Sequence, residues 1–226
     1  MRAARITTMA AAIAISATAA LAASEQVKLQ RAEAVLKAAL EAPDRGIPKD
    51  ALEKAECVGV FPDVKKGAFI VGGEGGSGVF TCRGKDGMMG APAFFKLGGA
   101  SVGWQFGGQE TDLVLLVMNQ GGMSHLLKDH VTLGAEAVAT AGPVGRTLKA
   151  ATDAQLHAEI LSWSRSQGAF LGAALDGSVL KPDGEANTAT YGKGATAKSI
   201  LVDHKSAPPA EAVSFLKTLN ASAARG

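Results

Sequence analysis

Cys57-Val-Gly-Val-Phe-Pro-Asp-Val-Lys-Lys-Gly-Ala-Phe-Ile-Val-Gly-Gly-Glu-Gly-Gly-Ser-Gly-Val-Phe-Thr-Cys82 is the stretch that decides how this chain is read. Cys57 to Phe61, Ala68 to Val71 and Gly78 to Cys82 are short apolar runs of strand length. Pro62-Asp63 ends the first run, and a glycine-rich turn or bulge joins the other two. Glycine weakens a strand, because it costs backbone entropy and offers no side chain to pack. A sheet this rich in glycine therefore needs a reason, such as sharp curvature, bulges, or another backbone or ligand in close approach. The chain has 28 glycines, and all but Gly46 and Gly226 lie between Gly59 and Gly194.

Outward from this stretch the same character continues. Ala93-Phe-Phe-Lys-Leu97 and Ser101-Val-Gly-Trp-Gln-Phe106 extend the sheet. Leu113-Val-Leu-Leu-Val-Met118 is an unbroken apolar run, which predicts a strand buried on both faces. It is too short to cross a membrane. Gly122 to Lys128 predicts one or two helical turns. Val131 to Ala141 reads as strand, Ile160 to Ser164 with Gly168 to Leu175 as a hairpin, and Ser178 to Leu180 as a further strand.

Helices occupy the two ends. Ser24 to Leu40 places Leu29, Ala32, Leu36 and Leu40 on one face, with Val35 and Ala39 beside them. Pro48 to Glu56 is a second short helix, with proline near its first position. Pro182 to Tyr191, Thr196 to Val202 and Ala210 to Asn220 follow near the C-terminus. Strands grouped centrally with helices outside them give an α+β class. The expected architecture is a curved, glycine-rich antiparallel sheet or barrel-like core flanked by N- and C-terminal helices.

Met1-Arg-Ala-Ala-Arg5, an uncharged run from Ile6 to Leu21, and Ala20-Leu21-Ala22 have the form of a secretory signal peptide cut after Ala22. Residues 1–22 are thus expected to be removed, and residues 23–226 to form one domain of a periplasmic or secreted protein. The whole chain has 23 basic and 21 acidic residues, and the segment removed contains Arg2, Arg5 and no acid, so the remainder balances 21 against 21. Overall charge then gives no attraction for nucleic acid or an anionic membrane, and any such binding must come from a local patch. Aromatic content is 5%, so small and aliphatic residues fill the core. Cys57 and Cys82 form a disulfide in an oxidising compartment, or remain two buried thiols. Two cysteines without nearby histidines make no zinc site, and no metal or cofactor is expected.

Two glycine motifs invite a chemical reading. Gly73-Glu-Gly-Gly-Ser-Gly78 matches the G-x-G-x-x-G pattern, but a dinucleotide site needs a helix next, and Val79-Phe-Thr-Cys82 reads as strand. Gly99-Ala-Ser-Val-Gly103 matches G-x-S-x-G, but a nucleophile elbow needs a strand–turn–helix context, and the surroundings read as sheet. His125, Asp129 and His130 match no metal-ligand spacing. Lys65-Lys66, at a turn, and Arg146, after Gly142-Pro-Val-Gly145, either hold a phosphate head group or are ordinary solvated turns.

Several ordered strings together resemble one family. They are Cys57-Val-Gly-Val-Phe-Pro62, Gly67-Ala-Phe-Ile-Val-Gly-Gly73, Pro92-Ala-Phe-Phe-Lys-Leu-Gly-Gly99, Ser101-Val-Gly-Trp-Gln-Phe-Gly107, Thr111-Asp-Leu-Val-Leu-Leu-Val-Met-Asn119, Thr132-Leu-Gly134, Ala141-Gly-Pro-Val-Gly-Arg146, and Ser162-Trp-Ser-Arg-Ser166. This pattern resembles the SYLF domain, also known as the yeast-type actin-binding domain, over roughly Lys28 to Val202. The resemblance implies a non-enzymatic lipid-binding module. Eukaryotic members bind phosphoinositide membranes with help from an amphipathic N-terminal helix, and some bind and bundle actin. An export signal, as in secreted bacterial members, takes a chain out of reach of actin. The expected partner is an anionic phospholipid or membrane surface, with self-association through small-residue surfaces as the alternative. Lys28, Arg31 and Lys37 on the first helix, with Lys65, Lys66 and Arg146, are the candidate phosphate contacts. The helix either lays its apolar face on lipid, closes over an apolar site, or packs against the sheet.

Overall fold

A computed structural model describes residues 24–41, 46–68, 72–101, 109–143, 148, 152–165 and 170–224. Its architecture is α+β, a curled and mostly antiparallel half-barrel sheet packed with N- and C-terminal helices. The strands are β1 (Cys57–Ala68), β2 (Gly72–Cys82), β3 (Ala93–Ser101), β4 (Gln109–Val117), β5 (Val131–Thr132), β6 (Ala139–Ala141), β7 (Ile160–Arg165), β8 (Leu171–Gly172) and β9 (Val179–Pro182). They run in the order β5-β9-β3-β2-β1-β4-β7-β6, with β8 paired to β7. The β6–β7 pair is parallel. Residues 1–23, which hold the expected signal peptide, lie outside the described residues.

The sheet buries both of its faces, and β4 shows why. Leu113, Val114, Leu115, Leu116 and Val117 are all buried. Successive strand residues point to opposite faces, so an unbroken apolar run feeds two cores. Val114 and Leu116 join Val58, Val60, Val79 and Phe94 on one side. Leu113, Leu115 and Val117 join Phe61, Phe80 and Phe95 on the other.

The first core is closed by helices. Helix α1, residues 24–40, buries Leu29, Ala32, Val35, Leu36 and Ala39 there. Helix α2 (Lys49–Lys54) and α7 (Val213–Ser222) add Leu52, Phe215 and Leu219. Each fully buried leucine or phenylalanine contributes about 1.5–3 kcal/mol of transfer free energy. The apolar face of α1 is therefore committed to the core, and its flanks, mainly polar but with Val27 exposed among them, meet solvent. The second core is closed by α3 (Gln120–Leu126) and α6 (Ala197–Leu201), through Leu126, Ile200 and Leu201. Between them in the chain lie the short α4 (Asp153–Leu156) and α5 (Gly184–Tyr191).

Three local expectations need correction. Pro62-Asp63 does not end a strand; β1 runs through it as a bulge, with register shifts between Phe61 and Val64 against β4 and between Val60 and Lys65 against β2. Bulges are among the few sheet positions that accept proline, and Asp63 takes a positive φ of 52° there. The glycine string Gly72 to Gly78 is not a turn but the first half of β2. Val131 to Ala141 is not one strand, because Gly134, at φ 79°, turns the chain between β5 and β6.

Cys57 and Cys82 are direct cross-strand partners on β1 and β2 and form a disulfide. The glycines make room for aromatic rings. A Cβ on Gly59 would stand 2.4 Å from the Phe80 ring. That ring packs edge-on to Phe61 and Phe95 at 5.6 and 5.0 Å between centroids.

Candidate functional site

The bulge in β1 and the first turns of α1 frame a shallow cleft of about 300 Å3, floored by Gly75 and Gly76 of β2. Lys28, Arg31 and Lys65 line it together. Direct cross-strand partners share a sheet face. Lys65 is partnered with Gly75 and Glu110, so it projects on the same side of the sheet as α1.

Each cation in this cleft has an acidic partner. Lys28 Nζ lies 2.9 Å from Glu25 Oε1 and 5.9 Å from the centroid of the Phe94 ring. Arg31 pairs with Asp63, the positive-φ residue of the bulge. The Asp63 amide donates in turn to Asp112 Oδ1 at 3.2 Å, and Asp112 Oδ2 accepts from Arg165 Nη2 at 2.6 Å. Lys65 Nζ stands 3.8 Å from Glu110 in a well-exposed pair. The proline-bearing bulge thus aims one carboxylate at α1, in an exposed ion pair that adds little to the buried apolar contacts holding the helix.

Of the other sequence candidates, Lys37 does not line this cleft. Lys37 pairs with Glu33 at 2.6 Å, and Glu33 also accepts the Ser214 hydroxyl of α7. Burial raises the Glu33 pKa, but the hydrogen bonds from Lys37 and Ser214 outweigh it and hold the carboxyl below its ordinary value. Glu33 thus links α1 to α7, while Lys37 is engaged by Glu33 on its own helix and does not line the cleft. The Lys66 side chain and all of Arg146 lie outside the described residues; the Lys66 backbone pairs with Glu74 and Gln109.

A second trough, of about 450 Å3, adjoins the first through Gly76 and Ser77. Its walls carry Lys96 of β3 and Lys181 of β9. Sequence reading passed over both. Lys96 sits inside an apolar string and shares its strand face with the buried Phe94. Its opposition to Lys181 depends on a pairing between strands distant in sequence. A wider groove of about 840 Å3 lies apart from these two, lined by Met88, Met89 and His204 among others.

The first glycine motif lacks the context its chemistry requires. Gly73 to Gly78 lies within β2, and the strand continues to Cys82, so no helix N-terminus meets a pyrophosphate there. Gly99 to Ser101 end β3, and residues 102 and 103 lie outside the described residues. His125 Nε2 is 3.9 Å from Glu159 Oε2 and its Nδ1 is 3.1 Å from Lys128 Nζ. Among the described residues no group of three or more His, Cys, Asp or Glu could hold a metal ion. No helix among them is long and apolar enough to cross a membrane.

Comparison with known proteins gives a consistent answer. The Ysc84 family profile, described as "Las17-binding protein actin regulator", matches residues 98–222. LAS seventeen-binding protein 3 of Saccharomyces cerevisiae is 35% identical over 170 residues, covering 74% of this chain and 37% of the yeast protein. Protein YSC84 of the same yeast is 33% identical over 170 residues, covering 74% of this chain and 36% of its own length. The human SH3 domain-containing YSC84-like protein 1 is 31% identical over 160 residues, covering 70% of this chain and 46% of its own. The chain thus spans less than half the length of each of these relatives.

Proposed function

From the premise that the chain belongs to the Ysc84 (SYLF) family, we propose that it is a non-enzymatic module of the cell envelope that binds anionic phospholipid. The observation that carries this reading is the convergence of Lys28, Arg31 and Lys65 on one open cleft beside α1. Val27, exposed on the same flank, offers a small apolar contact next to them. Contact with lipid is made by this polar flank, since the apolar stripe of α1 is buried. Each basic residue near an anionic surface contributes on the order of 1 kcal/mol, screened by salt. Because Glu25, Asp63 and Glu110 offset these charges, the affinity is modest and salt-sensitive.

An envelope location rests on the form of residues 1–22, and the Cys57–Cys82 disulfide suits it. The test is mass spectrometry of lipids extracted from protein expressed with those residues. A stoichiometric phospholipid, on a chain beginning at Ala23, supports the reading. A lipid-free chain that retains residues 1–22 contradicts it.

The family description favours one second reading. A profile described as binding Las17 suits a protein-interaction module that works without lipid. In that case the neutralised cleft is a docking face for a polypeptide, and lipid extraction returns nothing.

A further inference from the structure

We infer that the Lys96–Lys181 trough seats a phosphate group. This rests on the lipid-binding reading for the source of the phosphate, but not for the site itself. The argument begins with register. Lys96 and Lys181 are direct partners on antiparallel strands β3 and β9. Like charges directly opposite one another on a sheet repel. One carboxylate answers them: Asp183 Oδ1, 3.0 Å from Lys96 Nζ. That carboxylate is already engaged in capping α5, where it accepts the Ala186 amide at 3.3 Å. Among the described residues, Lys181 makes no ion pair.

The two clefts differ in this respect. In the first, three cations face three carboxylates. In the second, two ammonium groups share one carboxylate, which leaves a local positive excess on a chain otherwise near balance. An anion between Lys96 and Lys181 turns a repulsive pair into two charge-assisted hydrogen bonds.

The rest of the trough suits phosphate. Ser77 is the direct partner of Lys96 on β2, so its side chain shares the face and its hydroxyl is a third donor. Gly98, two residues along β3 from Lys96 and on the same strand face, lines the space with no side chain to fill it. The volume of about 450 Å3 admits a phosphate mono- or diester with its ester-linked group. Gly76 and Ser77 also border the first cleft. A head group seated here lies beside Lys28 and Arg31.

The test uses the full chain with phosphatidylcholine vesicles, with and without phosphatidic acid, and separately with inorganic phosphate followed by amide chemical shifts. Lys181→Gln and Lys181→Glu are compared with Lys37→Gln and Arg31→Gln, after thermal melts confirm folding. Lys181→Gln is expected to weaken binding to phosphatidic acid vesicles about fivefold and Lys181→Glu to weaken it further. Lys37→Gln binds as the parent does. The unliganded Lys181→Gln protein melts no lower than the parent, because a repulsion has been removed.

If Lys181→Gln binds as well as the parent while Arg31→Gln does not, the trough inference falls and the lipid reading stands. If no vesicle binds but inorganic phosphate shifts the amides of Ser77, Lys96 and Lys181, the site stands and the lipid reading falls. If neither ligand acts, both fall.

Discussion

Gly78 shows at single-residue scale what the glycines contribute. A Cβ there would stand 2.4 Å from the Val60 carbonyl oxygen and 2.5 Å from the Phe61 ring. The oxygen belongs to a paired strand and cannot rotate aside. Gly78→Ala is expected to cost about 3 kcal/mol, near the upper end for overpacking a filled core, read as a lower urea midpoint with unchanged slope. Tyr191 gives a prediction in pH. Its hydroxyl donates to the Pro92 carbonyl, and burial pushes the phenol well above its ordinary value of 10.0. The folded state thus favours the neutral phenol. Its contribution is intact below pH 10 and is lost as pH rises past the unfolded value. Unfolding followed from pH 8 to pH 11 should show an alkaline decline that Tyr191→Phe reduces, while the variant loses about 1 kcal/mol at neutral pH with the hydrogen bond.

At the scale of elements, the disulfide is the clearest device. Cys57 and Cys82 are 25 residues apart and tie the start of β1 to the end of β2, the strands that anchor both cores. Closing a loop of that length contributes roughly 3 kcal/mol in the chain-entropy account. Reduction, or Cys57→Ser with Cys82→Ser, should lower the melting temperature by several degrees without changing the far-UV spectrum of the folded protein. Elements with a strong local signal were legible before any coordinates. The 3.6-residue spacing of Leu29, Ala32 and Leu36 gave α1, and the unbroken run at Leu113 gave a strand buried on both sides. Local signals misled where tertiary pairing overrode them. Pro62-Asp63 looks like a stop, but β2 and β4 on either side carry β1 across it as a bulge. Gly72 to Gly78 looks like a turn, yet pairing with β3 along its whole length makes it strand.

For the whole molecule, the sheet is the scaffold and its two faces have different uses. One face is filled mainly by apolar packing, with Ser162 buried in it and hydrogen-bonded to the Ala173 carbonyl. The other is covered by α1 and α7 only in part, and beyond the first turns of α1 it opens as two adjoining clefts with a backbone floor. Lys28, Arg31 and Lys65 could be proposed from sequence as basic residues on a helix flank and at an apparent turn, although Lys65 lies within strand β1 and not at a turn. Lys37 could be proposed on the same grounds, but it pairs with Glu33 on its own helix, away from the cleft. Lys96 and Lys181 were invisible as a pair, since 85 residues separate strands that only the folded sheet brings together. With both clefts on one side of the molecule, binding to a membrane should have a single orientation and depend on ionic strength. The most direct test is flotation of the protein, lacking residues 1–22, with phosphatidylcholine vesicles that contain or lack an anionic phospholipid, at low and at high salt. The expected result is co-flotation with anionic vesicles at low salt, reduced at high salt, and none with neutral vesicles. Failure to float with any vesicle at either salt concentration would contradict the lipid-binding account.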